Sequence, residues 1–521
     1  MKDRNRRCVS AYHETAVQIG ETILDSGGNA FDAFVASTAA TYVLGEGTTS
    51  LAGCLGALTY NARTRTVEYL DADFNEPKTR KRWWRRSSPP GNTVPVPGAV
   101  AGLEALSRKY GRFSFADALA PAIALARTGF HITKYYASVI SARSPVLQRS
   151  EYGRRTFFPE ERPLREGDVL RQPDVADFLT NIARYGAEYM YNGPWGRQFV
   201  ETVRERGGLI KNDDLAAYTV EWRQPWTISY REHEVYACSG FTFGGLWTLV
   251  ALKTLENIAP PFPEHFSTAP QMLEVLLRLA RQVDSEAWLF NYKQLANREY
   301  VQSRLAPEYV ANIWSRVQAS GCGNSTRSGT AHSYHVIAID HEGNAVTGTN
   351  TIESAPWADG IFVQGIPLSN ALKIPYGTRP GKRRLNLLSM HLVLRDGALR
   401  FAIGAFASSL IEASLQFLVN LIDYRLSPAE AARLPRFGTI PFELNSDGDI
   451  VWCDTSRNWL DKRVNPEVVT TLESRGLLFH QEHIDTGLGN IVVVNEDGTL
   501  QSATTPVQQS EPTRANVSEN Y

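Results

Sequence analysis

The chain has 521 residues, 43% hydrophobic and 21% charged, with 54 Lys+Arg against 55 Asp+Glu. This is ordinary globular composition with enough length for a large core, and it excludes a disordered, fibrous or strongly polyionic protein. Five cysteines (Cys8, Cys54, Cys238, Cys322, Cys453) with no CxxC spacing argue against a disulfide framework or a zinc site and read as reduced thiols.

The N-terminal MKDRNRRCVSAYHET carries positive charge, but no apolar segment follows it. No apolar run approaches the ~20 residues of a membrane span, so the expected location is cytoplasmic, with no membrane partner. Residues 12 to 25 have apolar residues at helical spacing and stop at Ser26-Gly27-Gly28; Asn29 to Leu44 reads as a second helix, apolar enough to be buried. The Gly-rich GEGTTSLAGCLGALTYN feeds a strand, and TRTVEYL alternates like its hairpin return. The basic run Lys78 to Arg86 reads as a solvated loop, with anion binding as the alternative and no nucleic-acid motif beside it. Ser114 and Asp117 cap a helix that Gly129 ends.

Residues 172 to 290 read mostly as helix, interrupted by two strands around WTISYREHEVYAC, and NREYVQSRLAPEYVANIW continues as helix. Ala319 to Thr330 is small, polar and Gly-rich, the composition of a flexible loop. After it the character turns to β, with GIFVQGIPL, LSMHLVLRDGALRFAIGAF, ELNSDGDIVWC and NIVVVNEDGTLQSA around the helix SSLIEASLQFLVNLIDY. The last ~15 residues lack apolar periodicity and read as a disordered tail.

The stretch GTAHSYHVIAIDHEGNAVTGTNTI, residues 329 to 352, is a hairpin with a hydroxyl cluster at its start. If Asp340 and Asn344 close the turn with Gly343 in the left-handed position, Ser333 lies opposite Thr351. A flexible loop before a hydroxyl residue suggests a cleavable peptide bond whose new α-amine activates that hydroxyl. Serine at a strand start more commonly just bonds the backbone, and His332 and His335 are uncommitted.

Further stretches carry a resemblance: GGNAFDAFVASTAATYVLGEG at 27 to 47, VPVPGAVAGLEALSRKYGRFSFADALAPAIALARTGF at 94 to 130, YNGPWGRQFVETVRERGGLIKNDDLAAYTV at 191 to 220, PGKRRLNLLSM at 380 to 390 and IDYRLSPAEAARLPRF at 422 to 437. Together with DHEGNAVTGTNTI they resemble the γ-glutamyltransferases, in order from about residue 10 to beyond 500. The resemblance implies an α+β fold, the four-layer αββα sandwich of the N-terminal nucleophile hydrolases, and a precursor that cuts itself. It implies a large-subunit-like segment 1–332 and a small-subunit-like segment 333–521, intertwined in one unit, with a small-molecule substrate, an oligomer left open, and no metal or organic cofactor.

Counting back without gaps from GNAV puts the family's nucleophile on Ser333 and its supporting threonine on Thr351. Thr330 competes, since it has the family's residue type, but it needs a three-residue insertion. The family's two oxyanion glycines correspond to Ala407 and Ser408, whose backbone N–H groups can serve the same end. The pocket departs from the family. Its arginine for the substrate carboxylate falls on Asp73, its asparagine on Glu353, its ammonium-binding acid near Lys373, and its paired serines on Asn386 and Leu387. A carboxylate does not hold a carboxylate. The expectation is a self-processing hydrolase of an acyl bond in a small polar metabolite other than glutathione. The resemblance also admits C–C bond hydrolysis beside a carbonyl in a specialised-metabolite pathway, an ordinary γ-glutamyl hydrolase or transferase, and an unprocessed binding protein.

Overall fold

The fold is taken from a computed structural model that describes all residues except 1–5, 80–87, 260–261, 263, 290–291, 320–332, 375–378, 407–408, 439–441, 445–449, 453–456, 483–486 and 507–521. Two six-stranded sheets, all of whose pairings are antiparallel, form its centre. The first runs in the order Cys8–Ala11, Ser333–Ile339, Ala345–Thr351, Cys54–Asn61, Thr66–Ala72, Glu221–Arg223. The second runs Leu500–Thr504, Leu488–Val494, Ala398–Phe406, Ser389–Arg395, His233–Ala237, Trp226–Tyr230. Strands from before and after residue 333 therefore pair side by side within both sheets.

Side-chain alternation decides what each face meets. In the first sheet Val336, Ala338, Leu55, Ala57, Leu70 and Ala72 pack into the core shared with the helices Glu14–Asp25, Ala30–Leu44 and Ala99–Tyr110. Ile337, Ile339, Leu58, Tyr60 and Tyr69 face the other way, onto Met390, Leu392, Ala402 and Val492 of the second sheet. The far face of the second sheet is covered by Gly244–Leu255, Pro270–Leu289 and Leu410–Ile422. The layering is helix, sheet, sheet, helix: the αββα sandwich.

Helix Ala30–Leu44 shows why its sequence is made of small and largely apolar residues with no strong polar face: all 15 of its residues are buried. Its N-terminus is satisfied from two directions. Asn29 and Asp32 form a reciprocal capping box, and the Asp340 carboxylate accepts from Ala30 N at 3.0 Å. That same carboxylate accepts from the backbone N–H groups of Glu342 and Asn344, each at 3.0 Å. The turn that sets the Ser333 hairpin is thereby fixed to the buried helix beneath it.

The Ser114 cap and the Gly129 stop occur at the expected positions, with Ser114 Oγ accepting from Asp117 N at 3.1 Å and Gly129 at φ +83°. Two elements differ from the sequence reading. NREYVQSRLAPEYVANIW is broken into Arg298–Ser303 and Pro307–Ala319, because Pro307 disfavours helix at the preceding residue and suits the first position of a new one. GIFVQGIPL is a minimal hairpin, Phe362–Val363 against Ile366–Pro367, turned by Gln364 at φ +49° and Gly365 at φ +78°. The predicted flexible loop lies, apart from Ala319, outside the described residues, as do the C-terminal tail from residue 507 and most of the basic run. Among the described residues no helix is long and apolar enough to cross a membrane, and Cys8, Cys54 and Cys238 are free thiols.

Candidate active site

The turn closes as the sequence requires. Asp340 N donates to Asn344 O at 3.1 Å, Gly343 sits at φ +86°, and Ser333 pairs directly with Thr351. Thr351 also pairs with Cys54 on its other side, and the register of the next hairpin, Leu55 opposite Ala72, continues to Asp73 beside Cys54. Ser333, Thr351, Cys54 and Asp73 thus form one row across four adjacent chain segments. At ~4.8 Å per strand, Asp73 lies about 14 Å from Ser333 between Cα atoms. Alternation puts the row on the face between the two sheets, because His335, two residues beyond Ser333, lies against Gly404 of the second sheet. Thr351 Oγ1 accepts from Glu353 N at 2.9 Å, which orients its hydroxyl beside the serine.

Four charged or amide groups converge at the far end of the row. Asn386 Nδ2 donates to Asp73 Oδ2 at 2.6 Å and approaches Cys54 Sγ at 3.7 Å. Phe74 N donates to Asp73 Oδ1 at 2.6 Å. Arg384 forms a buried ion pair with Glu353 and donates to Ala371 O at 2.7 Å, which ties this cluster to the short helix Ala371–Lys373. The Lys373 ammonium pairs with Asp359 at 2.7 Å. Arg383 donates to Asp73 O at 2.6 Å and to Thr219 O at 2.7 Å, and forms an ion pair with Asp71. Burial, reinforced by the Asp71 charge, pushes the Asp73 carboxyl up to about 6, against the pull of Phe74 N–H, Asn386 and Arg383. Burial and the Asp73 charge likewise raise the Cys54 thiol well above its ordinary value.

Of the residues singled out in sequence, Ser333, Thr351, Asp73, Glu353 and Asn386 are brought together. Lys373 is at the margin. Ala407 and Ser408, Thr330 and His332 lie outside the described residues. Cys54 and Arg384 were not singled out. The doubled arginine in PGKRRLN is the signal for Arg384, since a second guanidinium beside Arg383 faces burial only with a partner.

Two side chains on the strand Ser333–Ile339 have structural partners. His335 is fully buried, its ring nitrogens bonded to Thr349 Oγ1 at 2.7 Å and Thr347 Oγ1 at 2.8 Å, and burial lowers it to about 3. It is therefore neutral at any working pH and a poor proton shuttle. Tyr334, on the opposite face, donates to Glu46 Oε2 at 2.7 Å, and burial raises Glu46 to about 8.

These shifts set a pH dependence. His335 (about 3), His391 (about 3) and His13 (about 4) are all depressed by burial, so below pH ~6.5 the unfolded chain binds protons that the folded chain refuses. Their stability contribution is complete above pH ~6.5 and falls by about 1.4 kcal/mol per pH unit per group down to the folded values. Asp73 and Glu46 act in the opposite sense, favouring the fold as pH drops through their raised values. Urea midpoints are expected to decline on balance between pH 6 and 4, and His335→Asn should flatten that slope; an unchanged slope contradicts the neutral buried ring.

The family model described as gamma-glutamyltranspeptidase matches residues 16–515. The chain belongs to the γ-glutamyltranspeptidase family. It is 30% identical over 536 residues to an acylase ACY 1 proenzyme of Pseudomonas sp. strain V22, covering 96% of this chain and 92% of the relative. It is 28% identical over 548 residues to the glutathione hydrolase proenzyme of Escherichia coli K12, covering 96% and 90%. Among solved structures, cephalosporin acylase from Bacillus halodurans superposes with a TM-score of 0.84 at 22% identity, over 96% of this chain and 94% of that one, so the fold is shared. As a γ-glutamyltranspeptidase family member the protein is an enzyme, an N-terminal nucleophile hydrolase.

Proposed function

We propose that the protein is a self-processing amide hydrolase whose acyl donor is not glutathione, with Ser333 as nucleophile. The observation that carries this is the row itself, in which a hydroxyl residue at the first position of a central strand faces Thr351 and leads to Asp73. Relatives on both sides, an acylase proenzyme and a glutathione hydrolase proenzyme, are named as precursors, which supports processing before Ser333 into fragments 1–332 and 333–521.

After processing, Ser333 Oγ attacks the acyl carbon while its own α-amine, ordinarily titrating near ~7.7 to 8.0, takes the hydroxyl proton. The amine then passes that proton to the leaving nitrogen as the C–N bond breaks. Water attacks the resulting ester, the α-amine again accepts a proton, and the carboxylic acid leaves as Oγ is reprotonated. Thr351 positions the serine hydroxyl, and the backbone N–H groups of Ala407 and Ser408 are assigned to the oxyanion by the family pattern. Against glutathione stands the inverted pocket: Asp73, Glu353 and Asn386 occupy the positions at which the family holds a γ-glutamyl zwitterion.

An intact-mass experiment tests the covalent step. Mixed with a p-nitrophenyl ester, the protein should gain one acyl mass on the fragment beginning at residue 333, and peptide mapping should place it on Ser333. An adduct elsewhere, or p-nitrophenol release with no adduct from a burst-quenched sample, overturns it.

A further inference from the structure

Resting on the Ser333 acyl-enzyme reading, the buried cluster at the far end of the row says which acyl group fits. One donor atom each from Cys54, Asp73 and Glu353 lies within 4.8 Å of the other two, and the three residues are 0%, 1% and 4% exposed. Arg384 engages Glu353 through Oε2, whereas Glu353 Oε1 is buried with no hydrogen-bond partner among the described residues. The hydrogen bonds on the two Asp73 oxygens come from neutral donors, Phe74 N–H and the Asn386 amide. Two carboxylates and a sulfur thus face one another, with the Arg384 guanidinium paired to Glu353 and the Arg383 guanidinium committed to Asp71 and to the Asp73 carbonyl, so that Asp73 is the carboxylate left without an ion-pair partner of its own. An incoming carboxylate would be a third anion there, while an ammonium completes the charge and finds an acceptor already stripped of water.

We propose that this cluster binds a positively charged amine on the acyl donor, making Asp73 and Glu353 the specificity-determining residues for an ω-aminoacyl group that carries no carboxylate at that end. Cys54 and Asp73 are two and three strand spacings from Ser333, about 10 to 14 Å between Cα atoms. Less the ~3 Å of an ammonium hydrogen bond and the bond to Oγ, that span suits an amine some four to six carbons from the acyl carbon. A divalent metal is the competing cation for the same three atoms.

The processed enzyme is assayed with p-nitroanilides of 6-aminohexanoyl, 4-aminobutyryl, hexanoyl, glutaryl and γ-glutamyl groups, each with and without EDTA. 6-Aminohexanoyl is expected to exceed glutaryl and γ-glutamyl by at least tenfold in kcat/KM, and to exceed both its uncharged counterpart hexanoyl and the shorter 4-aminobutyryl, whose amine is only three carbons from the acyl carbon, EDTA making no difference. Asp73→Asn should cut the 6-aminohexanoyl to hexanoyl ratio at least tenfold. The same ratio should collapse in the wild type as pH falls below about 6, where Asp73, facing Asp71, Arg383, Asn386, Cys54 and the Glu353–Arg384 pair, takes up a proton. Equal turnover of hexanoyl and 6-aminohexanoyl, or a preference for glutaryl, overturns the ammonium pocket and leaves the Ser333 reading intact. A preference that EDTA abolishes reassigns the cluster to a metal ion. No turnover of any anilide together with no acyl adduct removes the Ser333 reading, and the pocket assignment falls with it.

Discussion

Ser333→Ala is expected to migrate as a single 58.0 kDa chain on a denaturing gel and to lose at least about 10³-fold in hydrolysis, whatever the acyl donor. Both losses have one cause. Self-cleavage before residue 333 needs the hydroxyl to receive the upstream acyl group, and hydrolysis needs it to receive the substrate's. Alanine leaves the hairpin register unchanged, because Asp340, Gly343 and Asn344 set it at the other end of the strand. The fold should therefore persist, with circular dichroism and urea midpoint close to the uncleaved wild type. Ser333→Thr should retain cleavage. Thr351→Val should slow both reactions less severely, since it removes an orienting hydroxyl and not the nucleophile. If Ser333→Ala still yields two fragments, the cut lies at another residue, Thr330 first among them.

Gly404→Ala is expected to be the most damaging single methyl group in the centre of the fold. A Cβ at residue 404 would stand 1.9 to 2.3 Å from three atoms of the His335 ring, far inside contact distance. The ring cannot swing away cheaply. Thr347 and Thr349 hold both its nitrogens, and Asn490 Nδ2 donates to His335 O at 2.7 Å. Relief must come from separating the sheets or breaking that network, at a cost of about 3 kcal/mol or more. Because His335 is two residues from Ser333 on the same face, cleavage should slow along with the drop in urea midpoint. A variant as stable as the wild type would show that the sheets are not packed this closely.

The fold was largely legible where the signal is local. Gly343 and the Asp340/Asn344 pair fixed the register that sets Ser333 opposite Thr351, and the small, largely apolar residues of Ala30–Leu44 announced a buried helix. Neighbours across strands far apart in sequence were not legible. Cys54 sits beside Thr351 through a pairing that spans nearly 300 positions, and Arg384 meets Glu353 through a connection that no periodicity encodes. The sequence reading took Asp73 as a lost arginine and, with Glu353, Lys373 and Asn386, as a sign of a polar substrate other than glutathione. The geometry adds that two arginines lie beside Asp73 after all, Arg384 committed to Glu353 and Arg383 to Asp71, while Glu353 Oε1 has no hydrogen-bond partner among the described residues. Lys373 was counted into the site by motif alone, and in the fold its ammonium pairs with Asp359.

The central claim is that the hydroxyl at the head of the strand Ser333–Ile339 becomes a chain terminus. N-terminal sequencing of the smaller fragment of the purified wild-type protein tests it most directly. The account predicts a fragment beginning Ser-Tyr-His-Val, from Ser333. A fragment beginning at Thr330, or a chain that stays whole while hydrolysing substrate, would contradict it.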